Sequence, residues 1–448
     1  MPTLEVTRTI AVSMDGLAGI DELERAALEF ARSAPAELIA SAVESMVAEL
    51  ATEVCGPFKM PIDDTDQIDA PWACTSCGSV RGFRRRGSQV RPRKLTSKVG
   101  TVAIRSKMLP CRSCGHRFSP LGQLLGLRPG QRRTDGLSMA AAALAVEVAY
   151  AKASRLLAEV GGVSLSARTI RRDVLAAAPE RIAPGDPVEV PVLLLDGTGE
   201  RAGTAKGGVA LHLAVGIVSR ARRGQRTTCT VELLGATLGE PWSVLFDLLA
   251  GWVTPGLIVV DGEEELSSLC AKHFAAVPRQ RCLWHLSRGL VKALRYQDRA
   301  PARVSDQALA DLETIFTNAW EERDAGVARE CLVLLADNLE LDGASAAAAH
   351  LRNALDEAFT FLTNPTAGEL VTGHKGRPDV GTGVLERVMR EMNRRTDVGV
   401  RWSVPGVRAI LMTKLEHKYH HGRWSTPAAT EPSTVRFSLS PPRQPRAA

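Results

Sequence analysis

Polar and apolar positions change period several times along the chain, and each change marks a different kind of element. Over residues 21 to 54, "DELERAALEFARSAPAELIASAVESMVAELATEV", apolar side chains return at three- and four-residue steps, which predicts helices with one buried face. The acidic linker "PIDDTDQIDAP" closes this N-terminal helical region, residues 1–70. Farther on, the alternating run "TVAIRSKML" predicts a half-buried strand. From Ser138, "SMAAAALAVEVAYAKASRLLAEVGGVSLSARTIRRDVLAAA" predicts a long apolar helix, a shorter one ending at Gly161-Gly162, and a third opening near Ser166.

Beyond the proline-broken linker "APGDPVEVP" the pattern turns to strands. "VPVLLLDGTGE" reads as a buried strand ending in Asp196, "GVALHLAVGIVS" and "TTCTVELLGATL" as two more, and "PWSVLFDLLAGW" as a helix. "GLIVVDGEEE" is a second buried strand ending in Asp261. The expectation is an α/β sheet with two aspartates at strand ends. From Leu290 to Asn364 the chain turns helical and alanine-rich, then "GHKGRPDVGTG" predicts a loop and "VLERVMREMNRR" a basic helix. The tail, residues 426–448, is rich in Pro, Ser and Thr and is expected to be disordered.

At 448 residues the chain exceeds what one core organises, so two to four domains are expected, and 45% hydrophobic residues suffice to bury them. No stretch approaches the roughly 18 to 20 apolar residues of a membrane helix, and "MPTLEVTRTIAVSMDG" lacks a basic-then-apolar export signal, so a cytoplasmic location is expected.

Charge changes the picture through its distribution. The net +6 is modest, but Arg81, Arg84, Arg85, Arg86, Arg91, Arg93, Lys94 and Lys98 occur with no acidic residue among them. Such a stretch suits a polyanion, and equally a solvated loop. It lies between "CTSC" at Cys74 and Cys77 and "CRSC" at Cys111 and Cys114. Two such knuckles joined through a hairpin are the layout of a zinc ribbon, here residues 71–120, with four thiolates closing a tetrahedral Zn²⁺ site. In residues 121–185, the helix, glycine turn and basic helix (Arg168, Arg171, Arg172) have the pattern of a helix-turn-helix, which any αα-hairpin also matches.

Carboxylates at the ends of buried strands sit where open α/β sheets place their sites, and two of them within reach of shared hard cations favour Mg²⁺ or Mn²⁺ and chemistry at phosphorus. Close behind Asp261 comes "RQRCLWHLSRGL", with Cys282 three places before His285. The pair suits a metal site, a nucleophile with its base, or an acidic site's wall. The protease reading lacks an orienting residue. Cys270 and His273 add a rival zinc set, although Cys270 falls on the apolar face of its helix. Trp284, between the pair, is expected in the core rather than as a base-stacking residue.

The order of these blocks resembles the DDE transposases of bacterial insertion sequences, in the Mutator-like branch. "LLLDGTGE", "VVDGEEE", "RCLWHLSRGL", "GTGVLERVMREMNRR" and "GVRWSVPGVRAILM" follow the family's order over roughly residues 190 to 415. The resemblance implies an RNase H-like catalytic domain in two parts, residues 186–290 and 376–425, around a helical insertion, residues 291–375. It implies a catalytic, metal-binding triad of Asp196, Asp261 and Glu386, chosen over nearby Glu391 and Asp379, with Cys282 and His285 as active-site support. Implied partners are double-stranded DNA at element ends and target, and further copies of the chain in a homodimer or larger synaptic assembly near the bacterial nucleoid. Candidate DNA contacts are Arg84, Arg85, Arg86, Arg93 and Lys94 in the ribbon, Arg168, Arg171 and Arg172 in the helix-turn-helix, and Arg390 and Arg394, with Arg387 and Arg395, on the basic helix. An RNase H-like nuclease or resolvase and a non-catalytic regulator remain as alternatives.

Overall fold

The computed structural model describes residues 20–57, 62–63, 68–88, 91–200, 202, 208–223, 226–364, 372–374, 377–379, 381–396, 402–420 and 435–439. The chain divides into two compact units, Met1–Asp173 and Val174–Ala448.

In the first unit, helix α1 (Ile20–Cys55) is one 36-residue helix that carries Pro35 inside it, where the sequence pattern had suggested several. Five short strands follow: β1 (Arg86–Ser88), β2 (Arg93–Ser97), β3 (Gly100–Ile104), β4 (Lys107–Pro110) and β5 (Arg117–Phe118). β1, β4 and β5 form one antiparallel sheet, and β2 with β3 a separate hairpin between the two cysteine knuckles. One apolar cluster joins Ala51 and Val54 of α1 to Trp72, Phe83, Leu109 and Phe118, and includes Cys74 and Cys111. A second packs Ala36 and Val47 against Leu95, Val102 and Ile104 of the hairpin. The unit continues with α2 (Leu121–Leu124), α3 (Asp135–Glu147), capped by the Thr134 side chain on Leu137 N–H, and α4 (Tyr150–Glu159). Helix α5 (Ala167–Ala177) carries the chain across the boundary.

The second unit is built on a mixed six-stranded sheet. Its strands are β7 (Val192–Glu200), β8 (Val209–Arg223), β9 (Arg226–Leu238), β11 (Ile258–Val260), β12 (Arg279–Arg281) and β15 (Val435–Leu439), in the order β12-β11-β7-β8-β9-β15. β12, β11 and β7 run parallel, while β7, β8, β9 and β15 are antiparallel. β6 (Val188–Val190) and β10 (Val253–Pro255) form a parallel pair outside it. The side-chain period of two assigns the β7 faces. Leu193 and Leu195 pack with α6 (Trp242–Leu249) and α7 (Glu264–His273). Val192 and Leu194 belong to a larger core that includes α8 (Leu283–Lys292) and the helices after it.

Helix α8 runs into a π-helical turn, Ala293–Gln297, and then α9 (Ala302–Glu322), α10 (Ala325–Leu341), α11 (Ser345–Arg352) and α12 (Thr360–Thr363) form the expected helical stretch. The segment expected as a loop contains a hairpin, β13 (Thr372–His374) with β14 (Arg377–Asp379). Helix α13 (Gly383–Thr396) follows, then α14 (Val404–Lys418), whose first turn is capped by the Ser403 hydroxyl.

One expectation is corrected. Asp196 does not end its strand: β7 continues to Glu200 because β8 pairs with it throughout, from Val192↔Ile217 to Glu200↔Val209. The shorter parallel neighbour β11 ends beside it, with Val259 opposite Leu194. In the tail expected to be disordered, β15 pairs with β9, Val435 opposite Val231, and covers an edge strand that would otherwise be open.

Candidate active site and metal centre

Cys74, Cys77, Cys111 and Cys114 come together, with all four Sγ atoms within 4.8 Å of one another. Cys74 lies 3.6 Å from Cys114, and Cys77 3.6 Å from Cys111. A ZnS₄ tetrahedron with bonds of about 2.3 Å has sulfur–sulfur edges of about 3.8 Å, so the quartet is gathered closely enough to hold a zinc ion. Each knuckle turns at a positive-φ glycine, Gly78 (φ 74°) and Gly115 (φ 73°), which lets the amides curl back toward sulfur. Burial would raise the Cys74 thiol, but the N–H groups of Cys77 and Ser76 and the neighbouring thiols bring it down to about 7. Among the described residues, no other group of three or more His, Cys, Asp or Glu side chains is drawn together so tightly. That includes Cys270, which is buried in the α6–α7 core, and His273, whose nearest acid is Asp247 at 3.9 Å.

The acidic residues of the second unit are arranged differently. Asp196 and Glu386 line a cavity of about 550 Å³ together with Thr198, Trp284, His285, Arg288, Asn393, Arg390 and Arg394. Asp261 lines the adjacent cavity, about 660 Å³, with Glu263, Lys292, Arg295 and Tyr296. His285 and Arg288 line both. The three carboxylates therefore stand around one wall rather than in a closed cluster.

Local structure explains each position. Asp196 is buried on the β7 face that turns away from α6, and its Oδ1 accepts the Gly197 N–H at 2.8 Å. Asp261 directly follows β11, and its Oδ1 accepts the Glu263 N–H at 2.9 Å, closing a turn through Gly262 (φ 97°). Glu386 sits in the first turn of α13, its N–H bonded to the Thr382 carbonyl. Glu391 points elsewhere: its carboxylate takes the Tyr419 hydroxyl at 2.6 Å and the Lys418 ammonium. The side chain of Asp379 falls outside the described residues.

Cys282 is fully buried beneath His285, with its Sγ 3.7 Å from the Thr382 hydroxyl, which also lies 3.4 Å from His285 Nδ1. Burial alone would lower the His285 pKa, but the neighbouring Cys282 and the charges of Asp196 and Asp261 outweigh it and raise it to about 9. Asp196 is pushed up to about 6, first by burial and also by Asp261, against the opposing pull of His285, Thr382 and the Gly197 amide. Two carboxylates, each oriented by one amide, offer the hard, anionic oxygens that a divalent cation takes.

A family model described as "Transposase, Mutator family" matches residues 77–415. The chain belongs to that family. It is also 34% identical over 113 residues to the transposase for insertion sequence element IS905 of Lactococcus lactis subsp. lactis (strain IL1403), a match spanning 24% of this chain and 28% of that relative. Asp196, Asp261, Cys282, His285 and Glu386 all fall inside the Mutator-family match.

The basic residues divide. In the first unit Arg84, Arg86 and Lys94 are exposed, whereas Arg85 is half-buried and Arg93 donates to the Gln131 carbonyl at 3.3 Å. On α5, Arg168, Arg171 and Arg172 are exposed while Ile170 and Val174 are buried. Arg390 and Arg394 reach the acidic cavity. Arg395 does not: it is buried with its guanidinium 4.8 Å from the Trp402 ring centroid. Trp284, expected in the core, is instead 47% exposed on the cavity wall.

Several residues at this wall carried no sequence signal. Glu200, buried four residues after Asp196, accepts from the Thr396 hydroxyl at 2.9 Å. The Asn393 amide, turned with its nitrogen toward the carboxylate, donates to the other Glu200 oxygen at 2.5 Å. This fixes α13, and with it Glu386, against β7. Arg281, also buried, donates to the Asp261 carbonyl at 3.2 Å and the Asn353 carbonyl at 3.1 Å, and faces Glu357 at 3.7 Å. It ties the Asp261 turn to the helical stretch.

Proposed function

We propose that the protein is a transposase that binds the ends of its own element and catalyses metal-dependent DNA strand cleavage and strand transfer, with Asp196, Asp261 and Glu386 holding Mg²⁺ or Mn²⁺. The observation that carries this reading is the acidic wall itself. Asp196 and Glu386 share one cavity, Asp261 opens the next, and His285 and Arg288 bridge them in a chain of the Mutator family. The mixed sheet, with an antiparallel run β7-β8-β9 flanked by parallel β11 and β12, supports an RNase H-like reading of the second unit.

Bound there, divalent ions would supply an activated attacking oxygen and neutralise the leaving one in an in-line displacement at phosphorus. The chain's own residues do the rest. Gly197 and Glu263 amides aim the two aspartates. The Glu200–Asn393–Thr396 network keeps Glu386 in register with Asp196. His285 and Arg288 line both cavities beside the place of the phosphate, and Arg390 and Arg394 hold the flanking backbone. The zinc ribbon would set register through Arg84, Arg86 and Lys94, and the exposed arginines of α5 would enter a groove in helix-turn-helix fashion. Joining two ends implies at least two copies of the chain.

The test is a strand-cleavage and end-joining assay on DNA carrying the flanks of the gene, in Mg²⁺ and in EDTA, with wild type and Asp261→Asn. Metal-dependent cutting and joining, absent from the variant while DNA binding persists, is expected. Cutting without joining would assign a nuclease or resolvase instead, and binding without cutting a regulator.

A further inference from the structure

Two aromatic side chains beside the acidic wall are not used by the chemistry above. Trp284 on α8 and Tyr296 on the π-helical turn are 47% and 78% exposed. Trp284 lines the cavity of Asp196 and Glu386, and Tyr296 that of Asp261. The Arg288 guanidinium lies 5.1 Å from the Trp284 ring centroid, and His285 meets that ring edge-on at 4.8 Å. Residues 284, 288 and 292 are four apart and so share one edge of α8, and Arg295 on the π-helical turn, which pairs with Asp306 at 3.0 Å, lines the same cavity as Lys292. Edge and turn together read Trp, Arg, Lys, Arg and then Tyr, and they run along both cavities over about 18 Å.

Cations spaced along an edge suit the phosphates of one strand, and an exposed ring suits a base that has lost its stacking neighbour. A strand bent so that its phosphate reaches buried Asp196 loses that neighbour at the bend. We propose that this edge of α8 holds DNA that is unpaired at the cleavage point, with Trp284 as the platform on which one nucleobase stacks and Arg288, Lys292 and Arg295 on the flanking phosphates. The proposal rests on the transposase reading of the acidic wall. Stacking on an aromatic ring strengthens binding about five- to 150-fold per base, and the effect tolerates any base sequence because every base has a π-face.

The experiment uses the full-length protein and duplexes cut from the flanks of its gene, in which nucleotides around the cleavage position are replaced one at a time by abasic ones. Wild type, Trp284→Phe and Trp284→Ala are compared for cleavage rate in Mg²⁺, with thermal melting as the control for folding. One abasic position should slow wild type by about five- to 150-fold. Trp284→Phe, which keeps a smaller π-face, should cut intact DNA at a rate between those of wild type and Trp284→Ala and keep part of the abasic penalty. Trp284→Ala should melt normally, cut intact DNA more slowly by the same factor, and lose nothing further at the abasic position. An abasic penalty that persists unchanged in Trp284→Ala, or a Trp284→Ala protein as fast as wild type, overturns the proposal while leaving the transposase reading in place. A wild-type protein that cuts none of these duplexes overturns both.

Discussion

Replacing Gly262 with alanine should disable the acidic wall without touching a carboxylate. Gly262 has φ 97°, and an added Cβ would fall on the Arg281 guanidinium. Two costs add. A side chain at positive φ costs about 1–2 kcal/mol in backbone strain. Arg281 must also leave its place, giving up its bonds to the Asp261 and Asn353 carbonyls and its position facing Glu357. Loss of two charged hydrogen bonds inside the protein, offset in part by solvation of the displaced group, adds about 3 kcal/mol. The total, about 4–5 kcal/mol, lies well above the roughly 1 kcal/mol of an average substitution. Gly251 is the internal control, because it has φ 78° but nothing within 4 Å of an added Cβ. Urea unfolding followed by tryptophan fluorescence should therefore place Gly262→Ala about 3 kcal/mol below Gly251→Ala. Gly262→Ala should also lose cleavage, since the turn carrying Asp261 is no longer tied. Equal destabilisation by the two variants would refute the role given to Arg281.

Other consequences are checked more simply. Cys74→Ser should remove bound zinc, measured by metal analysis of the purified protein, and lower the melting temperature, because structural zinc contributes about 10 kcal/mol or more to the folding of such sites; a normal zinc content in the variant would contradict the assignment. Glu200→Ala should leave DNA binding intact and raise the Mg²⁺ concentration needed for half-maximal cleavage, whereas Glu200→Gln should keep most activity; an unchanged Mg²⁺ midpoint in the alanine variant would remove Glu200 from the site. His212, buried and stacked on Trp242 at 4.0 Å, has its pKa lowered to about 4 by burial. The unfolded chain takes up this proton first, so stability should be constant above about pH 6.5 and fall by about 2 kcal/mol toward pH 4, a slope that His212→Phe should remove in unfolding measured across that range.

What the sequence made legible was local. Asp261 follows three buried apolar residues and precedes a glycine with positive φ, so its place at a strand end follows from its neighbours. Glu386 and the Cys282–His285 step are likewise set by the first turns of their own helices. The paired knuckles announce themselves by spacing, and their sulfurs come together. What escaped was decided across the chain. β7 runs past Asp196 because β8, a distant partner, pairs with it to the end. Glu200 looks like any surface glutamate until Thr396, 196 residues later, donates to it. Arg395 reads as part of a basic face, yet Trp402 takes it inward. Trp284 fits an apolar helix pattern, but α8 turns that position to the cavity.

The central claim is that these three carboxylates perform strand transfer, and the most direct measurement supplies pre-cleaved ends, so that joining is read without cutting. Wild type, Asp196→Asn, Asp261→Asn, Glu386→Gln and Glu391→Gln would be compared in Mg²⁺ for covalent joining of those ends to target DNA. The account predicts joining by wild type and by Glu391→Gln, whose native carboxylate is engaged by Lys418 and Tyr419, and none by the other three. Joining by Glu386→Gln at the wild-type rate, or its loss in Glu391→Gln alone, would contradict it.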